Sequence, residues 1–135
     1  NGGVIYPASH YGRDAMVGVA LFLSNLAHKN LKVSECKATL PQYFIAKNKI
    51  ELSDSSLIDR ILETVKSRFS EEDINTIDGV KISFESTRRW VHLRRSNTEP
   101  IIRIYAEAPT EAEASALAEE VINIAKSCFH SEQAR

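Results

Sequence analysis

The sequence predicts an α+β fold, an antiparallel sheet of four to five strands with two helices on one face. Apolar and polar residues alternate in several short segments of the second half of the chain, as they do in strands with one buried face. Apolar residues recur at helical spacing before and after those segments. The connections between the segments are short, which favours antiparallel pairing with both helices on the same face.

The predicted elements of this sheet fill residues 42–135 in the order β-α-β4-α. The predicted strands are Gln42–Leu52, Ile74–Ile77, Val80–Glu85, Arg89–Arg95 and Ile101–Ala108. The first helix is predicted from the apolar stripe Leu57, Ile58, Ile61, Leu62, Val65 and Phe69, and the second from Ala114, Leu117, Ala118, Val121, Ala125 and Cys128. Thr110 and Glu113 form a capping box before the second helix. Asp78-Gly79 predicts a type I′ hairpin turn, which needs a positive φ at both residues.

Residues 1–41 form a separate segment. Its predicted elements are a strand at Val4–Tyr6, a helix from Asp14 to His28, and a short helix, Glu35–Leu40, capped by Ser34. The long helix is apolar on nearly all sides, as helices are when neighbours bury them. One strand and one such helix cannot form a core, so we interpret this segment as the remnant of a preceding domain whose partner surface is missing or is supplied by another copy. The chain begins at Asn1 without a Met, and we expect a fragment of a longer protein.

The amino-acid composition limits the kinds of molecule that the chain is expected to bind. With 43% hydrophobic and 26% charged residues in 135, the chain is typical of a globular protein. Its formal net charge of -1 gives no general attraction to nucleic acid or to an anionic membrane, and no apolar run is long enough to span a bilayer. Cys36 and Cys128 form no CxxC motif, so we predict two buried free thiols in a cytoplasmic protein.

Two predicted strands are joined by a segment whose side chains are the best suited in the sequence to bind a ligand, Arg94-Arg95-Ser96-Asn97-Thr98-Glu99-Pro100. It holds guanidinium groups, two hydroxyls, a carboxamide and free backbone N–H groups, which together suit a phosphate dianion. Pro100 stiffens the end of the segment. Glu99 would repel a dianion, so we expect its side chain to turn away, towards Arg103. From these residues alone, a solvated polar turn at the sheet edge remains an open alternative.

A longer segment, from Trp90 to Arg103, is similar to the phosphate-binding loop of the α-D-phosphohexomutases, the family of phosphomannomutase, phosphoglucomutase and phosphoglucosamine mutase. The last domain of that family carries the signature R-x-S-[NG]-T-x-P, which residues 94–100 match. Asn1-Gly2-Gly3-Val4-Ile5, with Gly12-Arg13-Asp14 after it, resembles the end of the sugar-specificity loop in the third domain of the family.

The resemblance implies a domain assignment and a set of site residues. Residues 1–41 would be a remnant of the third, sugar-binding domain plus a linker, and residues 42–135 the TBP-like, phosphate-binding C-terminal domain. Carried across by position, the residues that hold the substrate phosphate are Arg94, Ser96, Asn97, Thr98 and Arg103, with Arg95 ranked below them because it stands at a variable position. Asn1 and Gly2 match the loop that contacts the sugar.

The implied protein is the C-terminal part of an isomerase that interconverts hexose 1- and 6-phosphates by intramolecular phosphoryl transfer. In the family, a phosphoserine of the first domain donates the phosphoryl group, an Asp-rich loop of the second holds Mg²⁺, and the last domain clamps the phosphate that does not react. This chain contains neither of the first two motifs, so we expect no catalytic residue, no metal ligand and no activity in the isolated fragment. The implied partners are a hexose phosphate or hexose bisphosphate and the missing N-terminal domains.

Two alternatives from other classes stay open. A nucleic-acid-binding sheet would use the charge and stacking of Arg88, Arg89, Arg94, Arg95, Arg103, Trp90 and Tyr105, although the net charge argues against it. A protein-interaction domain would self-associate through the apolar helix Asp14–His28. Within the resemblance the hexose is not determined. Asn97 is commoner in the mannose and glucose branch, and glycine at this position in the bacterial glucosamine branch.

Overall fold

A computed structural model of the chain describes residues 3–52 and 56–130. The chain divides into two compact units, Asn1–Pro41 and Gln42–Arg135. The described part of the first unit contains two helices, α1 (Ala15–Lys29) and α2 (Val33–Ala38). The second unit contains, in chain order, β1 (Phe44–Glu51), α3 (Leu57–Arg68), β2 (Asp73–Asn75), β3 (Val80–Phe84), β4 (Arg89–Arg95), β5 (Ile101–Ala108) and α4 (Glu111–His130).

The second unit is an antiparallel sheet covered on one face by two helices. All four strand pairs are antiparallel, and the strands lie side by side in the order β1-β5-β4-β3-β2. A 3-10 turn at Glu85–Thr87 joins β3 to β4. The order of strands and helices and the placement of both helices on one face are as predicted, so the α+β fold class is confirmed.

The core lies between the sheet and the helices α3 and α4. On the two central strands, Val91 pairs with Ala106 and Leu93 with Ile104, and all four side chains are fully buried. Residues of the predicted helical stripes complete the core, among them Ile58, Ile61, Val65, Leu117, Val121 and Ala125. The opposite face of the sheet, which we call the open face, carries Lys47, Lys49, Lys81, Trp90, His92, Arg94, Arg103, Tyr105 and Glu107.

Side-chain contacts stabilise the starts of α4 and α1. Thr110 and Glu113 form the predicted capping box of α4, in which each backbone N–H donates to the side chain of the other residue at 3.2 Å. Asp14 caps α1 by accepting a hydrogen bond from the Val17 N–H at 3.0 Å. This hydrogen bond, helped by a second one with His10, lowers the pKa of the Asp14 carboxyl. The Asp14 carboxylate therefore stabilises the helix fully at a pH above the ordinary carboxyl pKa. This stabilisation is lost as the pH falls through the lowered pKa of Asp14.

Helix α1 exposes much of its apolar surface. None of its residues is buried, and the large side chains of Met16, Val19, Phe22 and Leu23 are all exposed. An apolar surface of this kind is typical of a face that another domain or subunit covers. Among the described residues, no helix is long and apolar enough to cross a bilayer.

The predicted strand at Val4–Tyr6 is wrong. The described residues of the first unit contain only an isolated bridge between Tyr6 and His10. The chain turns directly after Tyr6, whose carbonyl accepts hydrogen bonds from the N–H groups of Ser9 and His10. A strand needs a neighbouring strand to satisfy its backbone groups, and the described part of this unit offers none.

The predicted cap of the short helix is also wrong. Helix α2 begins at Val33, one residue before the expected cap, Ser34. The Glu35 carboxylate accepts a hydrogen bond from the Lys32 N–H at 2.7 Å, so a side chain inside the first turn stabilises the start of the helix.

The turn between β2 and β3 differs from its prediction in two respects. Strand β2 ends at Asn75, because the Asn75 side chain accepts a hydrogen bond from the Ile77 N–H at 2.9 Å and turns the chain before Ile77. The turn at Asp78-Gly79 is not type I′, since Gly79 has a positive φ of 82° and Asp78 does not have a positive φ.

Ile104→Ala tests the core. It removes a fully buried side chain from β5 and should lower the free energy of unfolding of the second unit by about 2–5 kcal/mol. Ile77→Ala removes the same atoms from a side chain that is 91% exposed and should change that free energy by less than about 0.5 kcal/mol. Urea denaturation followed by circular dichroism measures both. Equal effects of the two substitutions would contradict the assignment of the core.

Candidate phosphate-binding site

The loop that joins β4 to β5 is held by backbone hydrogen bonds at both ends. The Ser96 N–H donates to the Ile101 carbonyl at 3.0 Å, which extends the ladder between the two strands by one step. The Ile101 N–H donates to the Glu99 carbonyl at 2.8 Å. The Leu52 N–H donates to the Pro100 carbonyl at 2.9 Å, which ties the loop to the end of β1. The loop is therefore presented from a fixed base.

Two arginines face each other beside this loop. Arg94 on β4 and Arg103 on β5 are cross-strand partners on the open face, and both side chains are exposed. Like charges directly opposite each other repel, so the pair raises the local positive potential and favours a bound anion. Asp78, from the turn between β2 and β3, offsets part of that charge, because its Oδ2 lies 3.1 Å from the Arg94 Nε.

The hydroxyl groups of the loop lie close together. Ser96 is buried, with 9% of its surface exposed. Its Oγ lies 3.5 Å from both the backbone nitrogen and the Oγ1 of Thr98. Such distances are at the outer limit for a hydrogen bond, so both hydroxyls keep the capacity to donate to a ligand.

Two cavities lined by described residues adjoin the loop. The smaller, of about 200 Å³, is lined by Arg94, Arg95, Ser96, Asn97, Thr98 and Arg103. The larger, of about 440 Å³, is lined by Ile58, Arg95, Ser96, Asn97, Thr98, Glu99 and Pro100. Arginines and neutral donors surround the smaller cavity, whereas a carboxylate lines the larger one. The smaller cavity therefore suits a dianion better.

The structure brings the six residues of the predicted phosphate site together around this smaller cavity. The predicted sugar contacts, Asn1 and Gly2, lie outside the described residues. In the described ranges, no group of three or more His, Cys, Asp or Glu side chains is placed to hold a metal ion.

Glu99 does not line the smaller cavity, and the predicted approach of its side chain to Arg103 is not found in the described part of the chain. Its residue lines the larger cavity, and the ion pairs of the described residues include none between Glu99 and Arg103. On β1, the pKa of Lys49 is raised chiefly by a hydrogen bond to Glu51 at 2.7 Å and to a smaller extent by the charge of Glu99. Glu99 therefore lies near enough to Lys49 to favour the charged form of that side chain.

Trp90, one of the two aromatic residues expected to stack on nucleic-acid bases, is engaged in contacts within the sheet. The Trp90 Nε1–H donates to Glu107 Oε1 at 2.9 Å. The Lys81 Nζ lies 4.7 Å from the centre of the Trp90 ring. These contacts occupy the ring and place a carboxylate on the same face, which argues against the nucleic-acid-binding alternative.

The contact between the turn of β2 and β3 and strand β4 is missed by the sequence prediction. The Asp-Gly pair predicts only a turn, yet the Asp78 carboxylate pairs with Arg94, and the Asp78 carbonyl lies within hydrogen-bonding distance of His92 Nε2. A Cβ on Gly79 would come within 2.1 Å of the Leu93 carbonyl oxygen, so the turn lies directly on β4. A local pattern marks the turn but does not show which strand the turn packs against.

One family of C-terminal domains matches more than half of this chain. Residues 30–124 match the family described as phosphoglucomutase/phosphomannomutase, C-terminal domain. The chain belongs to this family, and the resemblance predicted from the sequence is confirmed.

Individual relatives are mutases that act on different sugar phosphates. Phosphoglucosamine/phosphogalactosamine mutase of Sulfurisphaera tokodaii is 38% identical over 126 residues, which cover 92% of this chain and 27% of the relative. Phosphoglucomutase/phosphomannomutase of Thermococcus kodakarensis is 37% identical over 116 residues, which cover 84% of this chain and 25% of the relative. The chain therefore spans about a quarter of the length of these curated relatives.

Solved structures of Aspergillus fumigatus N-acetylphosphoglucosamine mutase share the fold. One aligns with 88% of this chain and 22% of its own, with a TM-score of 0.58 and 22% identity. A second, in complex with GlcNAc-6P and magnesium, aligns with 86% of this chain and 21% of its own, with a TM-score of 0.53 and 23% identity. At this level of identity the likeness shows the fold alone.

Gly79→Ala tests the close contact between the turn and β4. Alanine is strained at a φ of 82°, and its Cβ would overlap the Leu93 carbonyl, so the free energy of unfolding should fall by more than about 1 kcal/mol. Thr76→Ala, at an exposed position of the same turn, should change it by less than about 0.5 kcal/mol. Denaturation in urea measures both variants. If the two were equally stable, the described contact would be wrong.

Proposed function

We propose that this chain is the C-terminal part of a phosphohexomutase, an isomerase that interconverts hexose 1- and 6-phosphates by intramolecular phosphoryl transfer. Within that enzyme, the loop between β4 and β5 clamps the phosphate of the sugar that does not react. One observation carries the proposal. Guanidinium groups, hydroxyls and a carboxamide surround a single small cavity, and no carboxylate is among its lining residues.

The lining residues have roles that follow from their chemistry. Arg94 and Arg103 supply positive charge and forked N–H donors from two neighbouring strands, which suits the oxygens of a phosphate. The hydroxyls of Ser96 and Thr98 and the carboxamide of Asn97 offer neutral donors for the remaining oxygens. Together they match the charge and the donor count that a dianion requires.

A clamp at the non-reacting end contributes to catalysis through position. Binding energy gained far from the reacting bond holds the sugar so that its other end lies at the phosphoryl donor. A domain that closes over the substrate also excludes water, which would otherwise attack that donor. We assign the phosphoserine and the Mg²⁺ ligands to the rest of the enzyme, as the family resemblance implies. We propose no catalytic residue here.

The hexose is proposed only as a class. The relatives include one named for glucosamine and galactosamine phosphates and another named for glucose and mannose phosphates. These names cover both branches, so the indication for mannose or glucose from Asn97 stays a prediction. We propose a hexose phosphate or bisphosphate as the ligand, with Asn1 and Gly2 contributing contacts to the sugar.

The first unit, residues 1–41, is proposed to belong to the preceding, sugar-binding domain. The exposed apolar surface of α1 supports this proposal, because in the longer enzyme other parts of that domain would cover it. Self-association of this chain through Asp14–His28 stays a prediction. A cytoplasmic location, without a nucleic-acid or membrane partner, is part of the proposal and rests on composition.

Arg94→Ala in the full-length enzyme tests the proposal. The loss of one charged phosphate contact should raise KM and lower kcat/KM by about 30- to 1000-fold, equivalent to about 2–4 kcal/mol of transition-state binding. Arg95→Ala should have a smaller effect, because Arg95 stands at the variable position of the motif and lines both cavities. Steady-state kinetics of hexose phosphate isomerisation measure both.

Arg68→Ala is the matched control for this experiment. It removes the same charge from an exposed residue at the C-terminal end of α3. Ile58, which lines the larger cavity, lies near the other end of that helix. Its kinetics should equal those of the unmodified enzyme. A folded Arg94→Ala variant with the kinetics of Arg68→Ala would reject the clamp.

A further inference from the structure

Asp78 reaches the phosphate site from a different part of the chain. Its Oδ2 lies 3.1 Å from the Nε of Arg94, and both side chains are about half exposed. Arg94 also lines the cavity assigned to the phosphate. Because a guanidinium carries five N–H donors in a planar fork, a partner at Nε leaves the donors of the two Nη atoms for a ligand.

Backbone contacts determine where the Asp78 carboxylate lies. The Asp78 carbonyl is within hydrogen-bonding distance of His92 Nε2. At Gly79, an added Cβ would lie 2.1 Å from the Leu93 carbonyl oxygen and 3.1 Å from the Arg94 Cα, so the turn rests on the stretch of β4 that carries the arginine. The Asp78 carboxylate therefore lies beside Arg94 in a turn that already packs on β4, so no flexible loop has to become ordered to bring the two side chains together.

An ion pair at this place compensates for the two facing arginines. Arg94 and Arg103 repel each other when no anion lies between them. An unrestrained arginine also samples many rotamers, which have to be given up when it binds a ligand. Asp78 offsets the repulsion and restricts Arg94 before the ligand arrives.

We propose that Asp78 is a positioning residue of the phosphate site, which acts through Arg94 and does not itself touch the ligand. This inference rests on the proposed function of the loop between β4 and β5. Asp78 is not among the residues that line the smaller cavity, which agrees with an indirect role. Its negative charge also repels a dianion. If Asp78 acts by positioning Arg94, its removal weakens phosphate binding, whereas if it acts only by repulsion, its removal strengthens phosphate binding.

Titration of the 135-residue chain with inorganic phosphate, followed by the NMR shifts of the loop amides, tests this role. Asp78→Ala should weaken phosphate binding about two- to tenfold, the factor expected when one arginine has to be ordered on binding. Asp78→Glu should restore part of the affinity, because it keeps a carboxylate near Arg94. Asp73→Asn is the control, because it removes a negative charge from an exposed position of β2 in the same sheet. Salt and water screen this charge from the phosphate, so its loss should change the phosphate affinity by less than about twofold.

A double variant separates positioning from a general structural effect. In an Arg94→Ala background, Asp78→Ala should cause no further loss of phosphate affinity, because the residue through which Asp78 acts is already gone. If Asp78 merely stabilised the sheet, its removal would weaken phosphate binding equally in both backgrounds, which would overturn the proposal.

The outcomes for the inference and for the proposed function differ. Unchanged or tighter phosphate binding by Asp78→Ala, in a chain where Arg94→Ala weakens it, would overturn the positioning role alone. Unchanged phosphate binding by Arg94→Ala would reject the phosphate site itself. Circular dichroism verifies the fold of each variant. Should Asp78→Ala not fold, Asp78→Asn keeps the shape of the side chain, removes its charge, and should weaken binding in the same way.

Discussion

The register between β4 and β5 determines where the donors of the proposed phosphate site lie. Leu93 lies opposite Ile104 in the core, and a slip of one residue would turn the apolar residues of one of the two strands to solvent. The same register places Arg94 opposite Arg103 on the open face. Each fully buried Leu or Ile contributes about 1.5–3 kcal/mol, whereas an exposed ion pair contributes at most about 1 kcal/mol. Apolar burial on one face therefore decides which charges meet on the other.

Most of the sheet and both of its helices could be predicted, because each element carries its own pattern. The alternation in Arg89–Arg95 shows which side chains are buried, and the stripe in α4 does the same for a helix. The prediction of a strand at Val4–Tyr6 is wrong because a short apolar run indicates that its side chains are suited to burial, but it does not show which strand would pair with it. In the first unit no described strand pairs with this run, and the chain turns at Tyr6.

The sequence could predict which donor residues lie together in the proposed phosphate site, but it could not predict which other side chains lie beside them. Residues 94–103 are close in sequence, so a hairpin brings them together regardless of the rest of the fold. Asp78 reaches Arg94 only because the turn before β3 packs on β4, and this packing has no local signature. The charge of Glu99 acts on Lys49 because β1 adds to the sheet beside β5, an arrangement that depends on the whole topology.

A chain with a net charge of -1 attracts a dianion only where its fold gathers positive groups, and the smaller cavity at the loop is such a place. A crystal structure of the chain grown with inorganic phosphate tests this most directly. We expect a phosphate in that cavity, with oxygens within about 3 Å of the Arg94 guanidinium and of the Ser96 and Thr98 hydroxyls. A phosphate in the larger cavity beside Glu99, or an empty smaller cavity at saturating phosphate, would contradict this assignment.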